Sequence, residues 1–453
     1  MTVPGRSTGR IILFPLPLQG HVSPMLQLAQ LLRSRGFAVT VVHSTFNPPN
    51  PSNYPDLEFH SIPCGFHDSE IASADLILRM NLLITRCEGP FTTFLEESLR
   101  NGPLTCLVTD SWYIFAQEVA NKLGVTRLVL RTGSATSLSL FADFPLLFEK
   151  GYYPIQGSRL EEEIIEFPPL KVKDLPAIGS QGLDEIPVMV GGMVSNSRNS
   201  SGVIINTFDD IESESLSKLR EQLRIPVFPI GPFHKCFPAS SSSLLTADGG
   251  CISWLDGKPP QSVIYISFGS IAAVTDEQIQ EIALGLASSN CFFLWVIREG
   301  GSGWLDQLPA EFLPVLEQRG KIVNWAPQQE VLVHPAVGAF WTHNGWNSTL
   351  ESLCEGVPMI CMPFFTDQTV NARYVTNVWK VGVHLENKIE RGNIEMAIKQ
   401  LFKDHEGKQM RDRVTELKEK AASCLQQGGS SHESLNELVD YFSSLNHSTF
   451  SES

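Results

Sequence analysis

A chain of 453 residues is long enough for two domains, each with a core of its own. With 42% hydrophobic and 18% charged residues it is an ordinary globular composition, and the formal net charge of −15 argues against nucleic acid and anionic membranes as partners. The nine cysteines (Cys64, Cys87, Cys106, Cys236, Cys251, Cys291, Cys354, Cys361, Cys424) are odd in number, scattered and without a Cys-x-x-Cys pair, which indicates neither a disulfide framework nor a zinc site and suits a reducing compartment.

The apolar run 11–18 contains Pro15 and Pro17 and leads into Gln19-Gly20-His21, a poor signal peptide, and no later run is long enough to span a membrane. A cytoplasmic protein is expected. Residues 11–14 read as a buried strand, and 22–33 as a helix with Met25, Leu28, Ala29 and Leu32 on one face. Gly36 ends the helix and 38–43 is a second strand, a βαβ opening that predicts a parallel, doubly wound sheet. Further strands are predicted at 104–109, 126–130 and 203–206. The first turn lacks Gly-x-Gly-x-x-Gly and the chain has no Gly-x4-Gly-Lys-Ser/Thr, so neither a dinucleotide site nor a P-loop is expected.

His21 follows the first strand, and Asp110 stands at the tip of the strand 104–109. Both would lie on the carboxyl edge of one sheet, where ligand sites gather in open α/β folds. A lone histidine there is more often structural than catalytic.

Ala239-Ser240-Ser241-Ser242-Ser243 followed by Asp248-Gly249-Gly250 is the clearest linker. A second α/β series follows, with strands at 263–267, 292–297, 321–324, 337–341 and 359–362 and a helix at 277–286. The expected division is a first domain 1–238, a linker 239–249, a second domain 250–428 and a terminal helix within 429–453. That helix, 431–445, has Leu435, Leu438, Val439 and Phe442 at amphipathic spacing, and the pattern alone does not say which domain it covers.

Residues 325–368 are the densest stretch. The strand 337–341 ends in Thr342-His343-Asn344-Gly345, and a helix opens with Trp346-Asn347-Ser348-Thr349. A strand, a glycine turn and a helix N-terminus make an anion site of free backbone N–H groups, to which His343, Asn347 and Ser348 add side-chain donors. Trp325 offers a ring on which a base can stack. Glu351, four residues after Asn347, shares its helix face and can reach a ribose diol. Asp367-Gln368, just past a strand end, can hold hydroxyls. Base, diol, phosphate and hydroxyls together describe a nucleotide sugar. The bland alternative is that Trp325, Trp341 and Trp346 are core aromatics and Glu351 a solvated helix residue. Asn347-Ser348-Thr349 is formally a glycosylation sequon, but a glycan there would block the anion site.

The stretch 325–368 closely resembles the signature box of plant family-1 UDP-sugar glycosyltransferases, nearly every anchor in register. The resemblance is dense in the second half of the chain and looser in the first. It implies the GT-B fold, two doubly wound α/β domains facing across a cleft, with the terminal helix crossing back onto the first. By that resemblance Trp325 stacks on uracil, Ala326 meets its edge, Gln328 lies beside the ribose and Glu351 holds the ribose hydroxyls. His343, Gly345, Asn347 and Ser348 would bind the diphosphate, while Trp346, Asp367 and Gln368 contact the sugar. Ser267-Phe268-Gly269-Ser270 resembles the second phosphate loop, with Ser267, Gly269 and Ser270 reaching the diphosphate, and Thr132 matches a position that touches the sugar. Asn344 departs from the family, which usually has Cys there. Gln368 resembles the glucose-preferring members, where a His goes with galactose.

The same resemblance makes His21 the general base and Asp110 its partner. It implies a single inverting displacement, with no cofactor beyond UDP-glucose as donor. No Asp-x-Asp metal motif is present, since Asp209-Asp210 are adjacent and read as a helix start, so no metal is expected. Ile84, Phe141, Phe144, Phe364 and Phe365 could line an apolar acceptor pocket, although core packing explains most of them equally well. The expected partners are the UDP-sugar and a small lipophilic acceptor, flavonoid or phenolic first, with terpenoid, cytokinin or hydroxy-acid acceptors and C-glucosylation as alternatives. The segments 17–21 and 385–388 look closest to the branch with steviol, cytokinin and small-hydroxyacid glucosyltransferases. A monomer is expected. The rivals are a nucleotide-sugar epimerase or dehydrogenase and a UDP-sugar-binding protein without turnover.

Overall fold

The structure is a computed structural model that describes residues 9–65, 76–176, 185–237, 244–270, 274–298, 308–386 and 389–448. The serine run of the expected linker and Asn387-Lys388 lie outside the described residues.

The chain divides into two compact units, one of Met1–Pro154, Ile178–Leu244 and Ser423–Ser453, the other of Ile155–Ala177 and Leu245–Ala422. In the first unit seven strands form one sheet: β1 (Arg10–Phe14), β2 (Ala38–Ser44), β3 (Glu58–Ile62), β4 (Cys106–Asp110), β5 (Arg127–Arg131), β6 (Val203–Ile205) and β7 (Val227–Pro229). Their order is β3-β2-β1-β4-β5-β6-β7, and every pairing is parallel. β4 and β5 are buried at every position, which explains why their sequences are continuous runs rather than alternating ones.

The second unit holds β8 (Val263–Ser267), β9 (Phe292–Val296), β10 (Gly320–Val323), β11 (Val337–Thr342), β12 (Met359–Cys361) and β13 (Gly382–His384). These pair in parallel in the order β10-β9-β8-β11-β12-β13. The chain thus has the α/β architecture expected of it, with two parallel sheets. β3, β7 and β13 were not predicted. They are edge strands, the first mostly exposed and the others only three residues long, so none leaves an apolar run to read.

The helix after β1 also begins earlier than its apolar spacing indicates. It runs Gln19–Ser34, which puts His21 in its first turn rather than in a loop. The terminal helix, Ser430–Ser448, belongs to the first unit. Leu435, Leu438 and Phe442 enter that unit's core beside Phe37, and Arg35 Nη1 donates to Asn436 Oδ1 at 2.9 Å. Among the described residues no helix is long and apolar enough to cross a membrane.

The domain boundaries need one correction: Ile155–Ala177, expected within the first domain, groups with the second unit. The tie is a buried ion pair. Arg373 donates through Nε to Asp174 Oδ2 at 2.8 Å and through Nη2 to Asp174 Oδ1 at 3.0 Å, and Thr369 Oγ1 donates to the Asp174 carbonyl at 2.8 Å. Lys173 adds an ion pair to Glu386 at 2.6 Å. Removing one partner of a buried pair strands the other charge, which is far costlier than losing a surface bridge. Asp174→Ala should therefore lower stability by roughly 3 kcal/mol, read as a fall in the urea midpoint. An unmoved midpoint would show the pair to be dispensable.

Candidate functional site

The first unit carries one constellation. His21, Asp110 and Thr132 follow or end β1, β4 and β5, three neighbouring strands, so parallel pairing brings all three to one sheet edge. His21 Nδ1 lies 2.7 Å from Asp110 Oδ2 and 3.1 Å from Thr132 Oγ1. Asp110 is fully buried, and its other oxygen accepts from the Trp112 backbone N–H at 3.0 Å. A buried carboxylate is an acceptor only, so the imidazole proton sits on Nδ1 and the Nε2 lone pair is left as the basic site. Thr132, named from the sequence as a sugar contact, lies beside the histidine.

Of the apolar residues named from the sequence, Ile84, Phe141 and Phe144 are buried in the first unit. Phe141 and Phe144 meet edge to face with centroids 5.6 Å apart, and the Arg131 guanidinium lies over the Phe141 ring. Phe364 and Phe365 are half-buried in the second unit, packed against its core.

The second unit carries a larger constellation at the carboxyl ends of its strands. β11 runs into His343 and Asn344, and the helix Trp346–Glu355 starts at once, with Gly345 as N-cap and no acidic residue in its first turn. Asn344 takes a left-handed backbone, φ +60°, which asparagine tolerates, and its Nδ2 reaches Cys361 Sγ at 3.3 Å. The family's usual Cys is thus replaced by a residue suited to the turn.

Two glycines frame the His343 ring. A Cβ at Gly269 would stand 2.6 Å from His343 Nε2, and one at Gly345 would stand 2.5 Å away. Gly269 also has φ +76°, a conformation glycine adopts without strain. Burial pushes the His343 pKa down to about 4, helped by the charge of Arg298 and opposed by a backbone contact to Ser267. The ring is therefore neutral at pH 7, a hydrogen-bonding group rather than a cation.

Glu351 is held by two glutamines. Gln328 Nε2 donates to its Oε2 at 2.7 Å and Gln329 Nε2 to its Oε1 at 3.0 Å, while Gln328 also reaches Ser348 Oγ at 3.0 Å and accepts from Tyr265 at 3.3 Å. Burial raises the carboxyl's pKa against the pull of the glutamine donors. Gln329 and Tyr265 were not foreseen, although Gln329 adjoins Gln328 in the sequence. Trp325, half-buried, and Ala326, buried, precede the short helix Gln328–Val333, and the Trp325 carbonyl accepts from Asp248 N–H at 2.9 Å.

Past β12, Gln368 is buried and its Oε1 accepts from the backbone N–H groups of Phe364 at 2.8 Å and Phe365 at 3.2 Å. That fixes the amide so that Nε2 is the outward donor. Asp367 accepts from Thr366 Oγ1 at 3.1 Å, and Trp346 is buried. After β8, Ser267 is buried and the Ser270 carbonyl accepts from Arg298 Nη1. Sequence reading did not single out Arg298, which carries no motif of its own.

Gly345 has an ordinary backbone, φ −57°, so Gly345→Ala tests the imidazole packing without backbone strain. The added methyl should push His343 toward water and move its pKa from about 4 back toward the ordinary 6.5, followed by imidazole NMR. An unchanged titration would mean that the ring had room.

This geometry was compared with known proteins. The family profile described as UDP-glucoronosyl and UDP-glucosyl transferase matches residues 254–420. UDP-glycosyltransferase 76C4 of Arabidopsis thaliana is 44% identical over 444 residues, covering 96% of this chain and 98% of that protein. The flavonol 3-O-glucosyltransferase UGT76E12 of Arabidopsis thaliana is 42% identical over 446 residues, covering 96% and 97%. Among solved structures, Phytolacca americana UGT2 complexed with UDP-2fluoro-glucose and pterostilbene matches with a TM-score of 0.83 at 29% identity, over 96% of this chain and 100% of that one. Two parallel-sheet units and likeness over nearly the full length lead to one conclusion: the chain belongs to the plant family-1 UDP-glycosyltransferases and has their GT-B fold.

Proposed function

We propose that this enzyme transfers glucose from UDP-glucose to a hydroxyl of a small lipophilic acceptor, flavonoid or phenolic first, with inversion and without a metal. The observation that carries the reading is the 2.7 Å contact between His21 Nδ1 and the buried Asp110 carboxylate. It supports His21 Nε2 as the base. As the acceptor oxygen forms its bond to the anomeric carbon, its proton passes to Nε2 and the carbon–phosphate oxygen bond breaks, its electron pair leaving with UDP. Asp110 then balances the imidazolium across Nδ1.

The donor assignment is supported by the second unit. Trp325 offers the stacking face, the Gln328–Glu351–Gln329 cluster a fixed carboxylate for the ribose, and His343, Gly345, Asn347 and Ser348 neutral donors for the diphosphate. Gln368 Nε2 and Asp367 suit sugar hydroxyls. A phenolic acceptor is favoured by the flavonol 3-O-glucosyltransferase among the relatives and the pterostilbene complex among the solved structures. Metal independence is supported by the lack of an Asp-x-Asp motif.

His21→Ala should cut transfer to an aliphatic alcohol by roughly two to four orders of magnitude, while UDP affinity stays as it is. Acidic phenols, which need less help losing a proton, should lose less. Equal loss for both acceptor types would argue against a base role. Turnover with an acceptor panel, read by mass spectrometry with chelator present, tests the rest. Hexose addition to phenolics alone supports the acceptor class, addition to terpenoid alcohols, cytokinins or hydroxy acids replaces it, and abolition by chelator overturns the metal-free mechanism.

A further inference from the structure

The diphosphate of a nucleotide sugar carries negative charge that grows at the bridging oxygen as the sugar leaves, and a departing anion is best stabilised by preorganised positive charge. Ser270, His343, Asn347 and Ser348 supply donors, but none is a cation at neutral pH, His343 being held neutral by burial. The chain as a whole, at −15, repels the ligand. A local cation beside the phosphate loop would offset both effects.

Arg298 is in position to be that group. It follows β9, which lies beside β8 in the sheet, and β8 in turn lies beside β11. The carboxyl ends of these neighbours carry Arg298, the loop Ser267–Ser270 and His343 respectively. Arg298 Nη1 donates to the Ser270 carbonyl, which anchors the guanidinium on the phosphate loop, and it is partly buried rather than extended into water. Its charge contributes to lowering the His343 pKa, after burial.

We propose that Arg298 is a diphosphate-binding residue that supplies the positive charge against which UDP departs. The inference rests on the donor-site reading above. A guanidinium matches phosphate oxygens with a planar fork of N–H donors, and a charge-assisted bond of this kind is stronger than a neutral one.

The test is calorimetric binding of UDP and of uridine, which lacks the phosphates, to the full-length wild type, Arg298→Gln and Arg298→Lys. Arg298→Gln should weaken UDP by about ten- to hundredfold and leave uridine unchanged. Arg298→Lys should keep most of the preference for UDP, and that preference should fall with added salt less steeply in Arg298→Gln than in wild type. Loss of both ligands alike, or of neither, would overturn the assignment. So would an Arg298→Lys variant as weak as Arg298→Gln, because the arginine would then act only by shaping the loop. Wild-type protein that binds UDP no better than uridine would instead sink the donor site, and this inference with it.

Discussion

Parallel pairing constrains where chemistry can stand in this protein. In an all-parallel sheet every strand must be re-entered by a crossover from the opposite end, so the segments leaving the carboxyl ends collect along a single edge. In the first unit β1, β4 and β5 are adjacent, and the residues that follow or end them are His21, Asp110 and Thr132. In the second unit β9, β8, β11 and β12 are adjacent and lead to Arg298, Ser270, His343 and Gln368. Neither set is near in sequence: His21 and Asp110 are 89 residues apart. Strand order brings each set together.

The two sets use burial differently. In the first, a carboxyl group is fully buried and its oxygens meet a backbone N–H and an imidazole. In the second, burial keeps His343 neutral, and two glycines leave just enough room for its ring.

Much of this was legible in the residues because both signals are local. β1, β4, β8 and β11 are buried runs that stand out as apolar segments, and the helix start after β11 has its glycine and small polar residues in one place. What was hidden depends on pairs remote in sequence. Asp174 and Arg373 are 199 residues apart and mark no periodicity, so nothing in 155–177 announces which unit it joins. Arg298, and the contact of Thr132 with His21, likewise involve single polar residues whose neighbours are set by strand order. The edge strands β3, β7 and β13 were missed for a third reason, too few buried side chains to leave a pattern.

The placement of Ile155–Ala177 has a consequence for how such enzymes recombine. The sequence suggests one seam, at the linker, yet by structure the second unit is built from two separate stretches of chain. A chimera joined only at residue 245 would set one parent's Arg373 and Glu386 against the other parent's Asp174 and Lys173, and a mismatch at 174 would leave the buried guanidinium with Glu386 alone. Exchanging the second unit between relatives therefore calls for a discontinuous graft that carries the segment along. Within the family, 155–177 and the body around Arg373 are expected to vary together as one inherited block.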